Sequence, residues 1–388
     1  VTDGGPALRI AMVGHKGIPA VHGGIERHVE EIACGLVRRG HRVDVYNRPY
    51  HPFRGSSYHG VRVRRRPSLP TKHLDAGTHT LWCVLETIAS RRYDLVHLHG
   101  IGPGIFVALA RPFLPTVFTF HAQDWRQRKW GSTARNWLLR GESVAVRRAD
   151  AVITVSRILR DYVRTRYGRD ATCIPNGARL AAYPGRDALA AWGLEPQGYL
   201  LFVGRLISDR GLPGLLQAHA TLPQAPPLVI VGDVQHDRRR IDELRAGAGG
   251  RVVFTGYQTG RVLAQLYANA RLCVHPSEVE GLPIAVLEAM SFGRAVLVSD
   301  IPENLEAIGD AGACFAVGNT QALGGALAAL LADPERIASL GAAARQRVGR
   351  HFDWDAIVVA TEGVYRRACR SHRGLDDAGN ALQRGGPT

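Results

Sequence analysis

No stretch of the chain approaches the ~20 consecutive apolar residues of a membrane-spanning helix. The most apolar run, 101–110, stops at Arg111. The start has no basic segment followed by an apolar one, so no secretory signal is expected. Six cysteines, at 34, 83, 173, 273, 314 and 369, include no Cys-x-x-Cys pair. That spacing argues against a zinc ribbon or a disulfide framework and suits a reducing cytoplasm. There is no repeat of solenoid period and no recognisable nucleic-acid module, so no nucleic-acid partner is expected. Neither "GIPAVHGG" (17–24) nor "GIGPG" (100–104) is a Gly-x-Gly-x-x-Gly, and a nicotinamide enzyme thereby loses its main support. His97-x-His99 resembles a metal pair, but no third ligand stands at compatible spacing, so no metal is expected.

What is present is a chain of 388 residues with 45% hydrophobic residues, enough for two or three domains with sizeable cores. Its net charge of +15 is lopsided. Residues 1–180 hold 29 Lys and Arg against 13 Asp and Glu; residues 181–388 hold 20 against 21. "VRVRRRP" (61–67) and "WRQRKWGSTAR" (125–135) are the densest basic clusters. Such a surface suits an anionic membrane, at about 1 kcal/mol per basic residue near it, or an anionic substrate; it is equally a solvated basic face.

Strands and helices alternate twice. The first series runs from "LRIAMVG" (8–14), through a helix over about 25–39, to "ATCIPNG" (171–177). It takes in strands at 93–100, 116–124 and 151–156 and helices at 132–148 and 157–167. The second runs from "YLLFVGRL" (199–206) through "RVVFTGYQ" (251–258) and "RLCVHPS" (271–277) to helices ending near 350. This order reads as two α/β domains with doubly wound parallel sheets. The irregular stretch 178–198 divides them. The first domain is expected over 1–180 and the second over 181–353, with a last helix over about 354–370. Residues 1–7 and 371–388 are expected to lack structure.

Ligands bind outside the carboxyl ends of strands in open α/β sheets. Arg205 follows a strand, and Arg210 comes five residues later. Two planar guanidiniums suit a diphosphate, or they are surface arginines paired to Asp209 or Asp233. In "EVEGLPIAVLEAM" (278–290), Pro283 suits the first turn of a helix, whose N-terminus can hold an anion or hydroxyl. Glu280 can accept from sugar hydroxyls, and Glu288, about 80° round by helical geometry, from a ribose. Both acids can also be explained locally, as a helix-dipole acid and a buried-face acid. Gly23-Gly24 ahead of a helix lets backbone approach a phosphate, or is a plain turn. His121 ends a strand, where a lone histidine is commonly structural. Asp353-Trp354-Asp355 matches an acid-x-acid metal pattern but opens a helix, so Asp353 is better read as its N-cap.

Together these stretches resemble the retaining glycosyltransferases of family 4. "PSEVEGLPIAVLEAMSFGRAVLVSD" (276–300) carries that family's paired-glutamate signature, and the resemblance spans about 8–370. "GIPAVHGGIERHVEEIACGLVRRGHRVDVYNR" and "FHAQDWRQRKWG" look like a branch from bacterial surface-polysaccharide synthesis. The resemblance implies a GT-B fold: two Rossmann-like domains facing a central cleft, the last helix crossing back to the first. It implies that Arg205 and Arg210 hold the donor diphosphate; the family usually has Lys at the second place. Glu288 would bind the ribose, Glu280 would face the transferred sugar, and the backbone of Gly281, Leu282, Pro283 and Ile284 would meet hydroxyls and phosphate. Gly23 and Gly24 would approach the diphosphate, and His121 would lie near the reacting sugar. The implied activity is metal-independent, retaining transfer of a hexose or deoxyhexose, such as mannose or rhamnose, from a nucleotide-diphosphate sugar. The acceptor would be a saccharide or polyprenyl-linked molecule, with no cofactor, in the cytoplasm or at the inner face of the membrane. A nucleotide-sugar 2-epimerase, a glycogen-synthase-like enzyme and a membrane-docked nucleotide-binding scaffold are the alternatives.

Overall fold

The computed structural model describes residues 5–21, 23–71, 74–180, 182–233 and 238–384. The chain divides into two compact units, one formed by Val1–Pro175 with Trp354–Thr388 and the other by Asn176–Asp353.

The first unit has a sheet of β1 (Arg9–Val13), β2 (Arg42–Asn47), β3 (Ser57–Tyr58), β4 (Val61–Arg65), β5 (Leu95–His99), β6 (Thr116–Phe120), β7 (Ala151–Thr154) and β8 (Thr172–Cys173). Their spatial order is β3-β4-β2-β1-β5-β6-β7-β8. All neighbours are parallel except β3 and β4. Its helices are α1 (Gly24–Arg38), α2 (Asp75–Ser90), α3 (Val107–Ala110), α4 (Ser132–Arg148) and α5 (Arg157–Tyr167). Helix α1 exists because Val29, Ile32, Ala33 and Leu36 fall on one stripe; each is fully buried. That stripe joins Ile10, Met12, Val43 and Val45 of the sheet in one core. The same core takes in Trp354, Val358 and Tyr365 from the last helix, α13 (Trp354–Arg384).

Helix α13 thus continues well past 370, where the sequence suggested its end, so 371–384 is helical. Gly374 and Gly379 weaken that segment, but no proline interrupts it. Residues 1–4 and 385–388, expected to lack structure, lie outside the described residues. The sequence reading passed over α2 and treated 61–67 as a charge cluster. The structure makes 61–65 a strand whose Val61 and Val63 face the core while Arg62 is exposed.

The second unit has a fully parallel sheet in the order β11-β10-β9-β12-β13-β14. The strands are β9 (Leu200–Val203), β10 (Leu228–Val231), β11 (Val252–Gly256), β12 (Leu272–His275), β13 (Val296–Ser299) and β14 (Ala313–Phe315). Around it lie α6 (Leu212–Ala220), α7 (Arg238–Ala246), α8 (Gly260–Asn269), α9 (Ile284–Ser291), α10 (Pro302–Ile308), α11 (Thr320–Leu331) and α12 (Pro334–His351). Strands such as "LVIV" are buried along their whole length, as parallel strands covered on both faces must be. In each sheet the strand order reverses once, at β1/β5 and at β9/β12, and such reversals open a crevice at the carboxyl ends of the strands.

Candidate active site

In the second unit, β9 delivers Arg205 to the reversal point. Its side chain is half-buried, and among the described residues it has no hydrogen bond or ion pair. A short turn over Ser208–Arg210 follows, and Gly211 then opens α6 with φ 66°. A Cβ at Gly211 would stand 2.1 Å from the Pro276 carbonyl oxygen, so only glycine lets the 208–211 turn lie against the loop after β12. The Glu278 amide donates to the Asp209 carbonyl at 2.9 Å and fixes the same contact.

That contact brings Arg210 to Glu280. The two form an ion pair, and Arg210 also donates to Ser277 Oγ at 3.2 Å and to the Val279 carbonyl at 3.4 Å. His275, the last residue of β12, lies 2.9 Å from Glu280 Oε1 through its Nε2. Burial, aided by Arg210, lowers the His275 pKa to about 3. The ring is therefore neutral near pH 7 and donates to the carboxylate. This partner of Arg210, Glu280, lies about 70 residues on in the chain.

The loop carrying Glu280 is braced from three sides. Ser299 donates to the Ser277 carbonyl, Asn304 Nδ2 donates to Ser299 Oγ at 2.9 Å, and Asn176 Nδ2 donates to the Leu282 carbonyl at 2.8 Å. Gly281, Leu282, Pro283 and Ile284 are buried. Pro283 is the N-cap of α9 rather than part of its first turn, because the amides of Val286 and Leu287 both bond to its carbonyl. The amides of Ile284 and Ala285 have no acceptor among the described residues, leaving two donors at the positive end of the helix. Glu280 lies four residues ahead of α9, so the 80° helical angle to Glu288 does not apply. Glu288 sits within α9, half-buried, and accepts from Tyr267 at 3.3 Å. The structure thus joins Arg210 to Glu280, places Glu288 on a separate partner, and leaves Arg205 at its own strand end.

The first unit holds Gly23, Gly24 and His121. Gly23 is the N-cap of α1 with φ 98°, and Gly24 is the first residue of that helix. His121 follows β6, is buried, and bonds through Nε2 to His99 Nδ1 at 3.1 Å. Burial, with repulsion from His28, His97 and His15, pushes its pKa well below the usual range. His97 bonds to Tyr365 and Thr119, both at 2.7 Å. The spacing of His97 and His99 suggested no third metal ligand, yet the fold supplies an arrangement that sequence separation hides. His28 of α1, His99 and His121 each offer a ligand atom, all within 4.8 Å of one another. The acid pair at 353 and 355 belongs to no such group among the described residues: Asp355 faces Arg38 at 3.4 Å, and Asp353 immediately precedes α13.

Sequence reasoning missed His275 and Tyr267, the partners of the two glutamates. The position of His275 at a strand's carboxyl end was the available signal; Tyr267 gave none.

Comparison with known proteins agrees with this architecture. "Glycosyltransferase Family 4" matches residues 22–181, and "Glycosyl transferases group 1" matches 189–347. A glycogen synthase from Mycobacterium tuberculosis is 30% identical, covering 94% of this chain and 96% of its own. A phosphatidyl-myo-inositol mannosyltransferase from Mycolicibacterium smegmatis is 29% identical over 89% and 90% of the two chains. The solved sucrose-phosphate synthase from Thermosynechococcus elongatus superposes with a TM-score of 0.83 at 26% identity, covering 94% of this chain and all of that one. The chain belongs to glycosyltransferase family 4 and is a glycosyltransferase built from the two parallel-sheet α/β units of the GT-B fold.

Proposed function

We propose that the second unit binds a nucleotide-diphosphate sugar and that the enzyme transfers its hexose or deoxyhexose with retention and without a metal. The observation that carries this reading is Arg210 paired with Glu280 ahead of the two open amides of α9, with the side chain of Arg205, unpaired among the described residues, following β9, the strand beside β12. Breaking the sugar–phosphate bond sends its electron pair to the diphosphate and leaves cationic character on the sugar carbon. Arg205, Arg210 and the Ile284 and Ala285 amides supply positive charge for that leaving group, work that a divalent cation does elsewhere. Loss of one such group typically raises the barrier by about 3–4 kcal/mol.

Glu280 holds Arg210 before any donor arrives, and neutral His275 keeps the carboxylate in place when the guanidinium turns to phosphate. The freed carboxylate oxygens then accept from hydroxyls of the transferred sugar. Glu288, oriented by Tyr267, accepts from the ribose. The acceptor hydroxyl attacks on the face the diphosphate leaves, and its proton passes to a departing phosphate oxygen. His121, neutral by burial, serves as a hydrogen-bonding group toward sugar hydroxyls rather than as an acid.

A saccharide or lipid-linked acceptor in cytoplasmic synthesis of surface polysaccharide or glycolipid fits the basic first unit. Glucan extension is the second reading, favoured by the 30% identity to a glycogen synthase. A thermal-shift screen against UDP-, GDP-, ADP- and dTDP-sugars tests the donor site, since ligand binding raises the melting temperature by mass action. One donor class should stand out. No shift with any of them, for a folded protein, would remove the proposal.

A further inference from the structure

The first unit exposes an apolar stripe beside an arginine-lined recess. Helix α2 is about 24 Å long at 1.5 Å per residue. Its inner face buries His79, Thr80, Cys83, Val84 and Thr87. On the outer face, Leu74 at its N-cap, Leu81, Trp82 and Leu85 are between 36% and 55% exposed. Leu69, 53% exposed, is tied to the same helix because its amide donates to Thr78 Oγ1 at 3.0 Å. Residues 74, 78, 81, 82 and 85 follow helical spacing, so the stripe is one face.

Glu86 lies four residues from Trp82, on the adjoining surface. Its carboxylate holds both Arg64 and Arg66. Those arginines line an open recess of about 720 Å³ with Arg62, Arg65 and Arg92. Asp44 and Glu86 partly neutralise Arg64 and Arg66, while the Arg65 side chain, among the described residues, meets only the Phe53 carbonyl. Arg62 and Arg92 are exposed, with no hydrogen bond or ion pair to their side chains among the described residues.

We propose that this face docks on an anionic lipid bilayer, with the α2 stripe entering the headgroup boundary and the recess arginines taking lipid phosphates. Tryptophan and leucine along one side of a surface helix, with cations gathered beside it, match an interface that is apolar within and negative outside. A second copy of the chain would set arginine against arginine, which disfavours self-association through this face. The inference deepens the functional reading by naming the surface that would bring the enzyme to a lipid-linked acceptor, and it rests on that reading for the acceptor alone.

The full-length protein is sedimented with vesicles of phosphatidylcholine, with and without phosphatidylglycerol, at low and high salt. Binding should require phosphatidylglycerol and weaken with salt. The W82S/L85S and R62E/R92E variants should each bind roughly tenfold less or weaker still. Both should keep the wild-type thermal shift with the donor sugar, which reports separately on the second unit. Equal binding to neutral and anionic vesicles, no binding to either, or wild-type binding by either variant would overturn the proposal. A lipid-free dimer that W82S dissolves would assign the stripe to a second copy and also overturn it.

Discussion

The first unit gathers imidazoles at its strand ends, where the second presents guanidiniums and a carboxylate held by the imidazole of His275. Six histidines of the first unit (15, 41, 79, 97, 99 and 121) are held below their usual pKa chiefly by burial, against two, 219 and 275, in the second. The first unit carries 33 basic and 17 acidic residues; the second carries 16 and 17. The first unit thus combines a cationic excess with buried imidazoles held neutral. The second is balanced overall and concentrates opposite charges at one strand reversal. A shared architecture can thus separate two electrostatic tasks: one unit offers a long-range positive surface, the other a short-range fixed site.

The largest expected effect tests that contrast directly. A buried imidazole whose folded pKa is depressed contributes stability that is fully present above its unfolded value of 6.5. Below that pH the unfolded chain binds protons that the folded chain refuses. The stability is lost progressively until the folded pKa is passed, near 3 for His15 and near 4 for His79. Each such group changes stability by at most about 1.4 kcal/mol per pH unit. Hydrogen exchange on the full chain between pH 7 and about 4.5 should show first-unit strands losing protection before those of the second. Simultaneous loss in both units, or earlier loss in the second, would erase the contrast.

Next in size is a change confined to the second unit. Arg205→Ala removes a guanidinium with no partner among the described residues, so stability should move by no more than about 0.5 kcal/mol. Turnover should nevertheless fall by about 10²–10³. Steady-state kinetics beside a melting curve make the check. Undiminished turnover would refute the diphosphate role of Arg205 and leave Arg210 with the α9 amides as the remaining cationic end.

Much of this organisation was legible in the residues. Alternation of buried strands and amphipathic helices marked both sheets, because a fully covered parallel strand reads as an apolar run. Helix α5 shows its limits openly, with Ser156 capping and Gly168 ending it in the left-handed region. Helix α2 was not legible, since the leucines and tryptophan on its outer face blur the helical period. Strand β4 hid because four arginines over 62–66 look like solvated charge. In the site, the residue types of Arg210 and Glu280 were visible but their pairing was not. It depends on Gly211 passing within contact of the Pro276 carbonyl, and local patterns do not encode contacts between such distant segments. The histidine group of 28, 99 and 121 escaped for the same reason: its members come from α1, β5 and the end of β6.

The smallest effect separates orientation from charge within the second unit. Tyr267 donates to Glu288 at 3.3 Å, and its ring stacks on Phe292 with centroids 6.0 Å apart. Tyr267→Phe keeps the ring and removes the hydroxyl, so the fold should lose about 1 kcal/mol at most. If Glu288 grips the ribose in ground and transition states alike, its freer carboxylate should raise the KM for donor several-fold and leave kcat near its original value. A fall in kcat at constant KM would instead place Glu288 in contact with the reacting sugar. That result would move the acid work of the second unit from Glu280 toward α9, and the cluster around Arg210 would then serve the diphosphate alone.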